Sequence, residues 1–401
     1  MSEPAVLIEH LFRRQAGKMV AHLTRLLGPA RLDLAEEAVQ DTMVRALQGW
    51  PFQGIPPNPE AWLFRVAHNA AIDAIRRRRE TAEFVEAAAA PDLPDPDDQL
   101  RDDELRMVFL CCHPEIPRDA AVALSLKTVG GFSVREIARA FLADDAAIAQ
   151  RLVRAKRLIR ERGITLELPS APDLEARLDA VLDVLYFIFN EGYAAHEGDA
   201  LIRHDLCGEA LRLARLVAAS SLNHPRVDAL VALMALQAAR TPARVDALGN
   251  LVLLDDQDRA LWDQRLIAMG FHHFDRSMTG DAVSAYHVEA AIAATHVRGP
   301  DWPVVLELYD DLLKLKPSPV VALNRAVAVA KVHGAEAGLA ALPESAKLAN
   351  YYLYLAVRGH LLAELGRSDE AIDAFRAALE RPCSEPERRF LERKCAALRS
   401  R

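Results

Sequence analysis

Residues 80–104 set the first limit on what this chain can fold into. They contain four consecutive alanines, Ala87 to Ala90, three prolines, Pro91, Pro94 and Pro96, and ten acids against the single basic residue Arg101. Such a stretch has little apolar area to bury and repels itself, so it predicts a flexible acidic linker with folded parts on either side. A second break falls at Leu168-Pro169-Ser170-Ala171-Pro172, where two prolines interrupt the end of a basic helical run. Three folded blocks follow: 1–79, 105–168 and 173–401.

Within these blocks the residue types favour helices. Hydrophobic residues make up 51%, while glycine (18 residues) and aromatics (6%) are sparse, which predicts an all-α chain. No apolar run approaches the roughly 20 residues that cross a bilayer, and no basic-then-apolar leader opens the sequence, so a cytoplasmic protein without membrane contact is expected. Cys111, Cys112, Cys207, Cys383 and Cys395 follow neither disulfide nor zinc spacing and read as buried thiols in a reducing compartment. Cys111-Cys112-His113 looks metal-like, but adjacent cysteines do not easily chelate one ion, and neither metal nor cofactor is expected. The net charge of −8 is uneven. Residues 1–79 carry 11 basic and 8 acidic side chains, residues 105–163 carry 11 and 6, and the acidic excess lies in 80–104 and after 163. Two weakly basic modules at the front point to nucleic acid there.

Three segments carry the chemistry. In Leu34–Arg45, helical spacing puts Glu37, Gln40 and Asp41 on one polar face and Val39, Met43, Ala46 and Leu47 on an apolar one. Taken alone, this is only an amphipathic helix, for which a solvated acidic face is the default. In Ala61–Arg79, a core stripe of Leu63, Val66, Ala67, Ala70 and Ala74 leaves Arg65, Asn69 and Arg76 outward, and the run Arg76-Arg77-Arg78-Arg79 suits phosphate contact or the helix's own dipole. In the third segment, Ser133 and Glu136 fit a capping box opening a helix through Ala140, and Asp144 fits the cap of a second helix. The buried line of that second helix is Ile148, Leu152, Ala155 and Ile159, which leaves Ala147, Gln150, Arg151, Arg154 and Arg157 outward, as entry into a major groove requires. Gln150 and Arg154 suit base edges, whereas Arg151, Lys156, Arg157 and Arg160 suit phosphates.

In this order, and separated by an acidic linker, the three segments resemble the two domains of extracytoplasmic-function sigma factors of the sigma-70 family. The resemblance implies that Glu37, Gln40 and Asp41 dock on core RNA polymerase. It implies that the helix with Trp62-Leu63, Arg65, Asn69, Asp73, Arg76 and Arg77 melts and reads the minus-ten promoter element, with the loop Gly49–Pro59 capturing a flipped base. The helix-turn-helix, with Gln150, Arg151, Arg154 and Arg157, then reads the minus-thirty-five element. Met43 stands where that family usually has Phe, and Leu142 where a turn glycine is frequent. The implied organisation is region 2 at 1–79, a linker at 80–104, region 4 at 105–168 and a helical extension at 173–401.

That extension has repeat character. Gly334 and Gly366 each close one helix and open another, 32 residues apart, near the roughly 34-residue tetratricopeptide period, and Arg358–Phe375 has the small and aromatic positions of such a unit. A tetratricopeptide-like array is expected from about 303, with an unidentified protein partner. Ile188-Phe189-Asn190-Glu191-Gly192-Tyr193, Leu254–Arg259 and Asn324–Ala328 resemble a sigma subgroup with a long C-terminal extension. Two other readings stay open: a helix-turn-helix regulator that acts without polymerase, and an enzyme in the C-terminal half using Glu191, Asp255, Asp256 or Asp258. The favoured reading has no catalytic residues.

Overall fold

The computed structural model describes residues 3–79, 96–141, 143–193, 201–222, 224–280, 282–344, 348 and 351–399; the side chains of 3–14, 76–79, 96–101, 139–140 and 171–172 also lie outside the description. The fold is all-α, as expected. Among the described residues the only extended pairing is an isolated antiparallel bridge between Val245 and Leu251. The chain divides into two compact units, Met1–Phe187 and Ile188–Arg401.

The first unit holds α1 (Glu3–Leu27), α2 (Leu32–Gln53), α3 (Pro59–Arg79), α4 (Pro96–Cys111), α5 (Arg118–Thr128), α6 (Val134–Ala140), α7 (Asp145–Arg162) and most of α8 (Ala171–Tyr193). Gly28, at φ 82°, and Pro29 end α1 and redirect the chain into α2. Asn58 opens α3 by accepting the amide of Ala61 at 3.0 Å. α1 packs against α2, α3, α4 and α5, and α7 against α5 and α6. The contact of α1 with the stretch after α5 needs a glycine, because a Cβ on Gly17 would stand 1.9 Å from the carbonyl oxygen of Val129.

The acidic linker ends earlier than its composition suggests. Residues 80–95 lie outside the described residues, but from Pro96 the chain is α4. Asp103, counted as a linker acid, is buried and bonds Arg25 Nε at 3.0 Å and His22 Nδ1 at 3.1 Å. A proline and acids suit the first turn of a helix, and a paired acid can be buried where a free one cannot. Pro172 likewise sits in the first turn of α8, and the division between the units falls at Phe187/Ile188. This part of α8 is tied to its own unit near its start by Arg177, which donates to the Phe109 carbonyl at 2.9 Å, and further along by Phe187, which stacks on Phe141 under Arg118.

In the second unit, α9 (His204–Ala218) and α10 (Pro225–Ala238) are followed by α11 (Gln264–Ser277) and α12 (Ala285–Arg298). α10 is apolar on nearly all sides, and α9, α11 and α12 cover it. Its one buried acid, Asp228, is held by His273 at 2.6 Å and Arg276 at 3.2 Å. Then come α13 (Trp302–Leu315), α14 (Pro319–His333), α15 (Ala335–Ala340), α16 (Tyr352–Glu364), α17 (Ser368–Leu379) and α18 (Glu385–Arg399), mostly packed on their sequence neighbours. Gly334 and Gly366 take the left-handed conformations that turns between such helices require. Gly359 lets α16 meet α17 closely: a Cβ there would lie 2.7 Å from the Phe375 ring.

Candidate polymerase- and DNA-binding surfaces

α2 is fixed by a buried row of Leu34, Ala35, Ala38, Val39, Thr42, Met43 and Ala46. Its opposite side carries Glu37, Gln40 and Asp41, all exposed as expected. Met43 fills its core position, whereas Leu47, expected on the apolar face, is 48% exposed.

α3 presents Arg65 and Asn69 to solvent, with Leu63, Ala67, Ala70 and Ala71 buried beneath. Val66 and Ala74 are half-buried at the margin of that stripe. Trp62 meets the buried Trp50 edge-on at 5.4 Å, which anchors the start of α3 to the end of α2. Arg76 and Arg77 continue the helix, with side chains outside the description. The expected loop Gly49–Pro59 is shorter than that, because α2 runs on to Gln53; Phe52, in its last turn, is 88% exposed, a large aromatic left in water. The helical pattern gave no sign of it, because a lone Phe at a helix end is indistinguishable from a core residue.

α6 begins with the expected capping box: the Glu136 amide donates to Ser133 Oγ at 3.1 Å, and the Ser133 amide to Glu136 Oε2 at 2.8 Å. Asp144 stands at the N-cap of α7 but accepts no side-chain cap bond. The buried line of α7 is Ile148, Leu152, Ala155 and Ile159. Gln150, Arg154 and Arg157 are exposed, and Arg151 is half-buried near Asp119 at 4.0 Å. Leu142, the departure from a turn glycine, lies outside the described residues.

All four expected phosphate contacts of α7 have an acid within 4.0 Å: Arg151 meets Asp119, Arg157 lies 3.5 Å from Glu161, and the other two pair with α2. Lys156 Nζ lies 2.7 Å from both Asp33 Oδ1 and Glu36 Oε2, and Arg160 Nη1 lies 2.9 Å from Asp33 Oδ2. Burial works against the charge on Lys156, but Glu36 and Asp33 more than offset it and hold the ammonium pKa above its ordinary value. Burial also opposes the charge on Asp33, and Lys156 and Arg160 outweigh it, so its carboxyl lies below the usual range. Glu36 is buried, unlike its neighbour Glu37.

The tempting metal motif resolves as packing. Cys111 Sγ lies 3.1 Å from Thr128 Oγ1 and Cys112 Sγ 3.5 Å from Ser125 Oγ, and burial raises both thiols, Cys112 to about 12. Of the acids weighed as catalytic, Asp258 caps a short turn by accepting the Ala260 amide and Asp255 pairs with Lys331. No helix among the described residues is long and apolar enough to cross a membrane.

Residues 11–81, which contain most of α1 and all of α2 and α3, match the family described as sigma-70 region 2. A region 2 domain implies binding to core RNA polymerase and promoter DNA, and it points to a transcription factor of the sigma-70 family rather than an enzyme. Residues 177–278 match a family of unknown function, DUF6596. The chain is 45% identical over 364 residues to an uncharacterized protein of Rhizobium meliloti (strain 1021), covering 87% of this chain and 86% of that one. It belongs to the same family as that protein. No solved structure matches it.

Proposed function

We propose that the chain is an alternative sigma factor of the extracytoplasmic-function type, whose front half docks on core RNA polymerase and directs it to particular promoters. The observation that supports this best is the pairing, in one chain, of a region 2 match with a second two-helix element, α6–α7, whose outer face bears Gln150, Arg154 and Arg157. A helix-turn-helix regulator that ignores polymerase has no use for the first feature. On this reading Glu37, Gln40 and Asp41 bind polymerase, and Arg65, Asn69, Arg76 and Arg77 engage the minus-ten element, with Phe52 free to stack on an unpaired base. Gln150 and Arg154 read base edges of the upstream element, and Arg151 and Arg157 hold phosphates.

The domain assignment is region 2 at 1–79 and region 4 as a helix-turn-helix within 105–168, followed by a C-terminal tetratricopeptide-like array with a regulatory, protein-binding role. The experiment is transcription by purified core polymerase with the full chain on a library of the host's promoter regions, with start sites sequenced. Discrete start sites that depend on the chain support the reading. Start sites unchanged from polymerase alone, with no chain retained on the polymerase, overturn it.

A further inference from the structure

The segment between α10 and α11 gathers three arginines at one place in the second unit. Arg240 and Arg244 follow the end of α10, and Arg259 shortly precedes α11. Arg240 and Arg259 both lie over the ring of Trp262, their guanidinium carbons 5.8 and 5.0 Å from its centre, so the two carbons are within about 11 Å of each other. Arg244 lies over Tyr193, at the end of α8, 4.1 Å from the ring centre. Each arginine is anchored by a bond to a neutral oxygen: Arg240 Nε donates to Gln257 Oε1 at 3.5 Å, Arg259 Nη1 to the Val297 carbonyl at 3.3 Å, and Arg244 Nη1 to the Tyr193 carbonyl. A guanidinium carries several N–H donors, so each keeps donors for a further partner.

None of the three pairs with a carboxylate among the described residues. Of the acids in the same loop, Asp255 is held by Lys331 and Asp258 accepts the Ala260 amide. Even with Asp256 and Asp258 counted against them, the three guanidiniums keep a positive surplus. Arg240 is half-buried. Burial works against its charge and Arg244 and Arg259 repel it, which outweighs the support of the Tyr193 phenol and leaves its pKa below the ordinary arginine value. The field extends to His296, which shares a cavity of about 390 Å³ with Trp302 and is pressed down to about 4 by burial first and by Arg240 second. Charges drawn out of water are ordinarily paired, and like charges gathered without a counterion cost stability that a bound anion restores.

The chemistry of the cluster narrows the anion. Guanidinium forks match phosphate oxygens two at a time, and a phosphate offers oxygens to more than one fork. The rings add no platform for a nucleobase, because Tyr193 already carries Arg244 and stacks on Phe189, and Trp262 is 4% exposed. A long polyanion is disfavoured as well, since part of the acidic excess of the chain lies after residue 163.

We propose that Arg240, Arg244 and Arg259 form a binding site for a small phosphate-bearing anion, with the guanidiniums taking its oxygens and with Tyr193 and Trp262 holding the forks in place. The site is independent of the polymerase reading and stands whether or not that reading does.

The test is calorimetric titration of the full chain with inorganic pyrophosphate at constant ionic strength, in a buffer free of other multivalent anions. One saturable site per chain is expected. Arg259→Gln, at an exposed position, should weaken binding about tenfold, the worth of a lost charge-assisted hydrogen bond, and Arg240→Met should do the same. Arg367→Gln, which removes an equally exposed arginine paired with Glu370, should stay within about twofold. Should Arg240→Met not fold, Arg259→Gln decides. The proposal is overturned if pyrophosphate shows no saturable binding or if Arg259→Gln and Arg367→Gln behave alike. It is also overturned if a short DNA duplex displaces pyrophosphate and itself loses affinity with Arg259→Gln, which would make the cluster a nucleic-acid contact.

Discussion

Lys156 on α7 reaches Glu36 on α2 at 2.7 Å, so a helix assigned to upstream DNA is fastened to the helix assigned to polymerase. Asp33 joins the same cluster from one turn earlier and also takes Arg160. On the proposed reading the two promoter elements lie about 25 base pairs apart, roughly 85 Å at 3.4 Å per pair. A 187-residue unit has a radius of gyration of about 16 Å. On that reading the fastened form does not reach both elements, and initiation would require the cluster to open.

Asp33→Asn with Glu36→Gln is therefore expected to raise the affinity of the free chain for promoter DNA about threefold to tenfold, by releasing two cations for phosphate contact. The gain should shrink with added salt. Gel-shift titrations at two ionic strengths measure it, and equal affinity of parent and variant at low salt would show that the cluster does not restrain α7.

The same cluster sets a pH window. The Asp33 pKa is lowered in the fold, so its contribution is complete above the ordinary 3.8 and is lost as pH falls through the lower folded value. The Lys156 pKa is raised, so its contribution is complete below 10.5 and is lost as pH rises through the higher folded value. Denaturant titrations of the parent and of Lys156→Met are expected to differ most between these limits and to converge outside them.

Replacing Glu37, Gln40 and Asp41 together with alanine should weaken retention on core polymerase while changing stability by no more than about 0.5 kcal/mol per site, the usual size for exposed positions. A pull-down with an unfolding control reads both. Unchanged retention removes these three residues from the interface.

Arg154→Ala should cost promoter binding about 1–3 kcal/mol if the side chain reads a base edge, or lower the salt slope by about one charge if it holds a phosphate. Lys156→Met is the contrast, since it loses a phosphate partner and the cluster at once.

Gly17→Ala should destabilise the first unit by about 1–3 kcal/mol or more, because the new methyl meets a main-chain carbonyl that has no rotamer to change. Thermal unfolding checks this, and a Tm equal to that of the parent would mean that α1 and the Val129 stretch separate readily.

What the sequence made legible was whatever a single helix decides for itself. The buried line of α7 and the capping box of α6 follow from local spacing, and so do the exposed faces of α2 and α3. The cluster at Lys156 was illegible because its partners lie 120 and 123 residues away and look like any other acids on a helix. Asp103 was misread for a related reason: composition counts charge but does not tell a solvated carboxylate from one buried against Arg25 and His22. The prolines at 169 and 172 read as a boundary, although a proline in the first turn starts a helix as readily as it ends one. The cavity under Trp302 was out of reach, since it is bounded by six helices and an extended segment whose meeting no periodicity describes.

The contact of Asp103 with Arg25 and His22 ties α4 to α1 independently of the connection between α3 and α4. Loop closure grows by only about 0.6 kcal/mol for each doubling of length, so the number of residues at 80–95 is thermodynamically a nearly free variable. The carboxylate holds α4 on α1 alongside the packing of the two helices, and Gly17 admits the Val129 stretch after α5 to the same helix. A protease cut within 80–95 should accordingly leave two fragments that elute as one species and separate only with denaturant, and Asp103→Ala should convert the same nick into dissociation. The chain can thus gain or lose residues at that position over generations without loosening the contact between α1 and α4.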